Sequence, residues 1–236
     1  MRVKTRHHTF LTAICFIAAV GQALADESES TVEVMGLSIP RYSVTERGLK
    51  REARIAIVLD ASGSIIDPYA LLTEQLGRDI RAMPDGTRLA IYLMQGPPPW
   101  PFAKPEYGRL QRARKAHLSR WLSESFAQGP MALQPKEVER LLIKRPDHVV
   151  VITDNPTLST FGKQGPADAG MVESVTGPIV EKHEQTGLTF NLVHVVYPSP
   201  MGEKAHLIKL TEKTDGLYHF VSEEQLIAWR DDAAEK

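Results

Sequence analysis

The chain has 236 residues, of which 42% are apolar and 24% are charged, with a formal net charge of −1 at pH 7. This composition is that of an ordinary globular protein with enough length for one sizeable core. The balance of charge offers no basic surplus for nucleic acid, and we expect no nucleic-acid partner.

The first 25 residues have the three regions of a secretory signal peptide in order. Met1 to His8 is basic, Phe10 to Val20 is an apolar run, and Ala23-Leu24-Ala25 has the small-x-small form that precedes cleavage. The apolar run is too short for a membrane span. We therefore expect export, to the periplasm or outside the cell, and no membrane anchor after cleavage. The alternative is an uncleaved anchor or a buried N-terminal helix.

The only cysteine, Cys15, lies inside this apolar run. It follows Ile14, where a lipoprotein cleavage site would have a small residue, which argues against lipid anchoring. Cleavage after Ala25 would leave a chain without cysteine and with 25 basic against 29 acidic residues, a net charge of −4. Such an exported fold would depend on its core instead of disulfides.

Residues 26–52 are polar and rich in Ser, Thr and Glu, and they indicate a partly ordered leader before a domain at 53–236. From Arg54 the pattern changes, and apolar runs alternate with amphipathic stretches. The predicted strands are Ile55 to Leu59, Leu89 to Met94, Val149 to Thr153 and Leu188 to Val196. The predicted helices after the first are Leu110 to Phe126, Pro135 to Ile143, Met171 to Glu184, Glu203 to Thr214 and one opening at Ser222.

The clearest predicted helix begins at Asp67-Pro68, a good N-cap followed by a proline, and repeats apolar residues at Leu72, Leu76 and Ile80. Strands that alternate with helices predict an α/β fold with a parallel sheet covered on both faces.

Oxygen-bearing side chains follow two of the predicted strands. Asp60, Ser62 and Ser64 come after the first strand, and Asp154 comes directly after Val149 to Thr153. Ligands collect at the carboxyl ends of strands in an open parallel sheet. Carboxylates and hydroxyls suit a hard divalent cation, so the sequence indicates a metal-dependent docking site at this edge.

Asp60-Ala61-Ser62-Gly63-Ser64 and the later Ile152-Thr153-Asp154 resemble the metal-ion-dependent adhesion site of von Willebrand factor type A domains. The resemblance extends from about Arg54 to Val221 and includes a closing pattern from Leu207 to Tyr218. It implies a Rossmann-like α/β fold with a mainly parallel six-stranded sheet and helices on both faces.

The resemblance also implies a ligand set. Ser62 and Ser64 would bind Mg²⁺, or Mn²⁺, directly, while Asp60 and Asp154 would act through bound water. An Asp or Glu side chain of a protein partner would complete the coordination.

The chain departs from the family in a second loop, which usually supplies a threonine. No hydroxyl stands near the expected Pro130 or Met131. In one interpretation four ligands suffice, with water or the Gln134 amide filling in and weaker metal binding. In the other, the site is degenerate and the domain is a metal-independent interaction scaffold. Asp154 is also followed by Asn155, where glycine is common in the family.

Partner contacts are predicted at Trp100, Gln134 and Asn155. Trp100 lies in the stiff proline-rich segment 97–101, so its aromatic ring would lose little entropy on binding; the alternative is packing against its own domain. Asp67 resembles an acid that holds a second ion in integrin β-chains, although the helix N-cap explains it already.

We expect no enzyme activity. A phosphotransferase of the haloacid dehalogenase type would need an acid where Ser62 stands, and the chain has no Gly-x-Ser-x-Gly elbow, phosphate-binding loop or dinucleotide fingerprint. A metal-dependent hydrolase would need more carboxylate or histidine ligands than these two loops supply.

Overall fold

The computed structural model describes residues 30–45, 47–94, 107–128, 133, 135–158, 169–196 and 205–234. The predicted signal peptide lies outside these residues, so it stays a prediction. None of the described helices combines the length and apolar character needed to cross a membrane.

Ten strands occur in the described residues. They are β1 (Thr31–Val34), β2 (Leu37–Pro40), β3 (Tyr42–Val44), β4 (Lys50–Glu52), β5 (Arg54–Asp60), β6 (Arg88–Met94), β7 (Gly108–Arg109), β8 (His148–Thr153), β9 (Thr189–Val195) and β10 (Tyr218–Val221). Six of them form the central sheet in the order β10-β9-β8-β5-β6-β7. All neighbours are parallel except β6 and β7, which are antiparallel. The predicted six-stranded, mainly parallel sheet is confirmed.

Six α-helices connect or flank these strands: α1 (Ile66–Ala82), α2 (Arg112–Glu124), α3 (Pro135–Ile143), α4 (Ala169–Thr186), α5 (His206–Lys213) and α6 (Glu223–Ala234). Each corresponds to a predicted helix, with ends that differ by a few residues. The start of α1 differs from the predicted start at Asp67. A 3₁₀ turn at Gly63–Ile65 precedes the helix, and Asp67 lies in its first turn. Asp67 is therefore not the N-cap, although a carboxylate there still favours the helix dipole.

The two faces of the sheet carry separate apolar layers, because successive strand residues point to opposite sides. On one face Ile57 and Ile152 pack with α1, α2 and α6. On the other, Val58 and Val151 pack with α3, α4 and α5. Burial on both faces explains why the central strands are almost continuously apolar.

Residues 30–45 and 47–52, part of the predicted leader, form two hairpins. β1 pairs with β2, and β3 pairs with β4, both antiparallel. The first hairpin contributes buried apolar side chains to the core beside α1, namely Val32, Val34, Met35, Leu37 and Ile39. The second hairpin runs directly into β5 at the amino end of the sheet. The domain boundary at residue 52 stays a prediction, but this part of the chain packs with the rest.

Asp79 on α1 anchors the first hairpin. Its Oδ2 accepts the Met35 backbone N–H at 2.8 Å, and its Oδ1 accepts the Gln75 amide at 2.7 Å. Burial raises the pKa of Asp79, and these hydrogen bonds oppose that rise. The carboxylate thus supplies an acceptor for the turn at Met35.

Replacing Asp79 with alanine is expected to lower the free energy of unfolding by about 1–3 kcal/mol, because the Met35 N–H loses its acceptor. Asp79→Asn keeps an oxygen at that place and is expected to cost less. Urea denaturation followed by tryptophan fluorescence measures both. Glu74→Ala removes an exposed carboxylate from the same helix and serves as the control. Equal losses for Asp79→Ala and Glu74→Ala would contradict the anchor.

Candidate functional site

The predicted site lies where the two central strands end. Asp60 is the last residue of β5, and Asp154 directly follows β8. The two strands are hydrogen-bonded neighbours, with Leu59 opposite Ile152. Their carboxyl ends therefore place Asp60 and Asp154 on the same edge of the sheet, as predicted.

The loop after β5 is held by backbone hydrogen bonds on two sides. The Ala61 N–H donates to the Met94 carbonyl at 2.8 Å, and the Gln128 N–H donates to the Ala61 carbonyl at 2.7 Å. Ser62 then precedes the 3₁₀ turn that leads into α1. The loop is thus tied to the end of β6 and to the segment after α2, so the positions of its side chains are set by the fold.

The four predicted ligands lie together. The Ser62 and Ser64 hydroxyl oxygens are 2.9 Å apart, and the Ser64 hydroxyl donates to Asp154 Oδ1 at 3.1 Å. Asp60 Oδ1 accepts the Ser62 backbone N–H at 2.8 Å. Asp60 and Ser62 are fully buried, whereas Ser64 is exposed. The group therefore extends from the interior to the surface at this edge of the sheet. We call the edge that carries Asp60, Ser62, Ser64 and Asp154 the rim.

These spacings fit the ligand shell of Mg²⁺. Magnesium binds oxygens at about 2.1 Å in an octahedron, which places neighbouring ligand oxygens about 3 Å apart. The hydroxyl oxygens of Ser62 and Ser64, the two expected direct ligands, are 2.9 Å apart and have that separation. Asp154 Oδ1 lies 3.1 Å from the Ser64 oxygen, beside these two ligands, where it would act through a bound water. Within the described ranges no group of three or more histidine, cysteine, aspartate or glutamate side chains is arranged to hold a metal. The rim instead combines two carboxylates with two hydroxyls.

Asp60 is held by groups on both of its oxygens. Thr153 donates its hydroxyl to Asp60 Oδ2 at 2.7 Å, opposite the Ser62 N–H on Oδ1. Burial raises the pKa of Asp60 to about 6, the hydrogen bonds from Thr153 and Ser62 oppose the rise, and the nearby charge of Asp154 adds to it. A buried carboxylate near a second carboxylate is stabilised in its charged form by a cation.

Thr153 was not among the predicted site residues. Its hydroxyl donates to Asp60 and also accepts the Asn155 backbone N–H at 3.0 Å, so it links the two acid-bearing loops. As the last residue of a buried strand it has a structural explanation already, and only its position directly before Asp154 could have identified it.

His194 is a second residue that the sequence did not assign to the rim. It is fully buried, and its Nδ1 lies 3.2 Å from the Tyr218 hydroxyl. Burial lowers the pKa of His194, while the Asp154 charge and backbone oppose that change. A neutral imidazole beside Asp154 leaves the negative charge of the rim uncompensated by histidine.

One of the three predicted partner-contacting residues lies in the part of the chain that the structure describes. Asn155 is half-buried at the rim, and its side-chain oxygen accepts the Thr157 N–H at 3.1 Å. Trp100 and Gln134 lie outside the described residues, as do Pro130 and Met131, where the family threonine is expected. The partner-contacting roles of Asn155, Trp100 and Gln134 all stay predictions.

A solved structure shares this architecture. A protein described as von Willebrand factor type A from Catenulispora acidiphila superposes with a TM-score of 0.53 over 75% of this chain at 16% identity. This chain has the von Willebrand factor type A fold. It spans 41% of the length of that protein. The VWA domain of SpRpn10 is also similar, with a TM-score of 0.41 and 10% identity over 74% of this chain and 91% of that one. No family model and no curated protein matches the sequence.

Proposed function

We propose that this chain is an exported protein-binding module of the von Willebrand A type. A divalent cation would be held at the rim by Ser62 and Ser64, with Asp60 and Asp154 in support, and bound there it would offer a coordination position to a carboxylate of the partner. The observation that carries the proposal is the set of two hydroxyls and two carboxylates gathered on one edge of the sheet, with the Ser62 and Ser64 oxygens 2.9 Å apart and the Ser64 oxygen 3.1 Å from Asp154.

The four residues of the rim have different roles in this proposal. The exposed Ser64 stands between the buried Ser62 and Asp154, so its hydroxyl marks the side of the site that a partner can reach. Both carboxylate oxygens of Asp60 accept hydrogen bonds, so its position is fixed. Its negative charge would act on the cation from the buried side of the site. Two carboxylates at the rim favour a divalent cation there, and a cation held through few charged ligands keeps part of its charge for an incoming acid.

Calorimetric titration of the purified chain with MgCl₂ and MnCl₂ tests the metal. We expect binding that Ser64→Ala weakens by about tenfold or more, since losing about 1.4 kcal/mol of binding free energy corresponds to a factor of ten. Ser174→Ala removes an exposed serine hydroxyl from α4 and serves as the matched control. Wild-type protein with no heat and no thermal shift for either ion would instead support the metal-independent scaffold.

The partner carboxylate needs a separate experiment. Proteins retained by the immobilised wild-type chain in Mg²⁺ are expected to elute with EDTA and to be absent from an immobilised Ser64→Ala column. Retention that survives EDTA would assign binding to another surface.

The proposal also includes no catalysis: generic phosphoester and ester substrates are expected to show no turnover, and turnover abolished by Asp60→Asn in a folded variant would overturn that part.

A further inference from the structure

A second concave surface lies at the opposite end of the sheet from the rim. It is a groove of about 870 Å³ between the β3–β4 hairpin, the segment that enters β8 and the end of α4. Arg54 at the start of β5 and His148 at the start of β8 line it. Because β5 has seven residues and a strand rises about 3.3 Å per residue, the groove lies roughly 20 Å from Asp60.

The groove has a surplus of positive charge in a chain whose net charge is −1. Among the described residues, five cationic side chains line it, Arg47, Arg51, Arg54, Arg145 and Lys182, against one carboxylate, that of Asp147. Arg51 is paired with Asp147 through two hydrogen bonds. Among the described residues, no ion pair engages the other four cations. Their charge is available to an anionic ligand.

Two buried polar atoms among the groove-lining residues have no hydrogen-bond partner in the described part of the chain: Ser43 Oγ and His148 Nε2. His148 is only 7% exposed, and its Nδ1 lies 2.6 Å from the Thr189 hydroxyl. The Asn191 amide donates to that hydroxyl, so Thr189 can donate to Nδ1 and leave the proton of a neutral ring on Nε2. Leaving such a donor unmatched is costly.

The borders of the groove are apolar and strand-like. Val44 and Leu49, on the β3–β4 hairpin, are 72% and 64% exposed and line it. All three residues of β3 line it as well. An extended segment can lie along a strand and place alternate side chains on charged and apolar neighbours.

We propose that this groove is a second protein-binding site, which takes an extended acidic segment of a partner with at least one apolar side chain. Its carboxylates would pair with Arg47, Arg145 and Lys182, and its apolar residue would contact Val44 and Leu49. A bilayer fits less well because its surface is flat, whereas Arg54 and Lys182 are half-buried in a concavity. Arg47, Arg145 and Lys182 also come from three separate parts of the chain, which suits a chain segment better than one small anion.

The site at the rim and this groove would make the domain a two-ended connector. Binding at the rim would depend on a divalent cation, and binding at the groove would depend on ionic strength, since exposed charges are screened by salt. The two proposals therefore fail independently.

Fluorescence anisotropy in EDTA tests the groove directly. The probe is a fluorescein-labelled decapeptide of glutamate and serine with one leucine, and its neutral counterpart has glutamine in place of every glutamate. We expect the acidic peptide to bind, the neutral one not to bind, and the affinity to fall as salt rises from about 50 to about 300 mM. Arg47→Glu combined with Lys182→Glu is expected to weaken binding by about tenfold or more.

A matched variant separates the groove from general charge. Lys136→Glu combined with Lys213→Glu makes the same change in net charge at exposed lysines on α3 and α5, and it is expected to alter binding by less than about twofold. Ser64→Ala is expected to bind the peptide normally. Equal weakening by both double variants, no peptide binding by wild type, displacement by millimolar inorganic phosphate, or binding only to phosphatidylglycerol vesicles would overturn the proposal.

Discussion

Without a divalent cation, the wild-type protein is expected to lose about 3 kcal/mol of stability relative to Asp60→Asn as pH rises from about 4 to about 7.5. The folded pKa of Asp60 is raised to about 6 from an ordinary 3.8, chiefly by burial. Between these values the folded state binds more protons than the unfolded state, so stability falls as pH rises. The contribution is fully present below about 3.8 and lost on passing through about 6.

Urea denaturation of both proteins in EDTA across this pH range measures the effect. Asparagine has the same shape and no charge, so the difference between the two proteins isolates the Asp60 carboxyl. Asp67→Asn removes an exposed carboxyl from the first turn of α1 and is the control. We expect added Mg²⁺ at pH 7.5 to restore the wild type and not Asp60→Asn. If the difference in stability between the wild type and Asp60→Asn does not vary with pH, burial leaves the Asp60 pKa near its ordinary value.

Most of the central sheet was predictable because its strands are buried on both faces. Runs such as Ile55 to Leu59 and Val149 to Thr153 contain little else than apolar residues, and they are separated by helices with clear periodicity. β7 was missed, since two residues, Gly108–Arg109, leave no pattern to recognise. Edge pairing of this kind is decided by the neighbouring strand and not by local sequence.

The first hairpin was predicted only as part of a polar leader. Its apolar residues do alternate, at Val32, Val34, Leu37 and Ile39, but Ser, Thr and Glu between them dominate the composition. The turn at Met35-Gly36 has positive φ at both residues, 50° and 81°, which is the geometry of a tight hairpin turn. Methionine is not a usual residue there, so the sequence lacked the asparagine or aspartate that would have signalled the turn.

The sequence predicted the rim to the extent that the ends of the strands determine which residues lie there. Asp60 and Asp154 lie at the same edge because their strands are parallel neighbours. Ser62 and Ser64 are close together because they are two residues apart in one short loop. The orientation of Asp60 depends on Thr153, a contact between residues 93 positions apart that no local pattern encodes. Such long-range hydrogen bonds require the fold before they can be seen.

Gly216→Ala is expected to destabilise the protein by about 3 kcal/mol or more, because no space exists for a methyl group. A Cβ at Gly216 would overlap the Phe190 carbonyl oxygen and lie 2.7 Å from its carbon, both backbone atoms of β9. The link between α5 and β10 is also held to β9 by two hydrogen bonds: Leu217 N–H to Asn191 Oδ1 at 2.9 Å, and Phe190 N–H to Thr214 Oγ1 at 3.1 Å. Moving the glycine away would strain these bonds.

Gly77→Ala is the matched control for the Gly216 substitution. Its nearest neighbours would lie at 3.5 Å or more, an ordinary contact, and it lies within α1. Alanine favours a helix over glycine by about 0.5–1 kcal/mol, so this variant is expected to be neutral or more stable in the same urea experiment. Equal midpoints for the two variants would mean that β10 can shift on β9 at little cost. A large loss at Gly216 alone would show that the close approach of this link to β9 fixes the edge strand of the sheet.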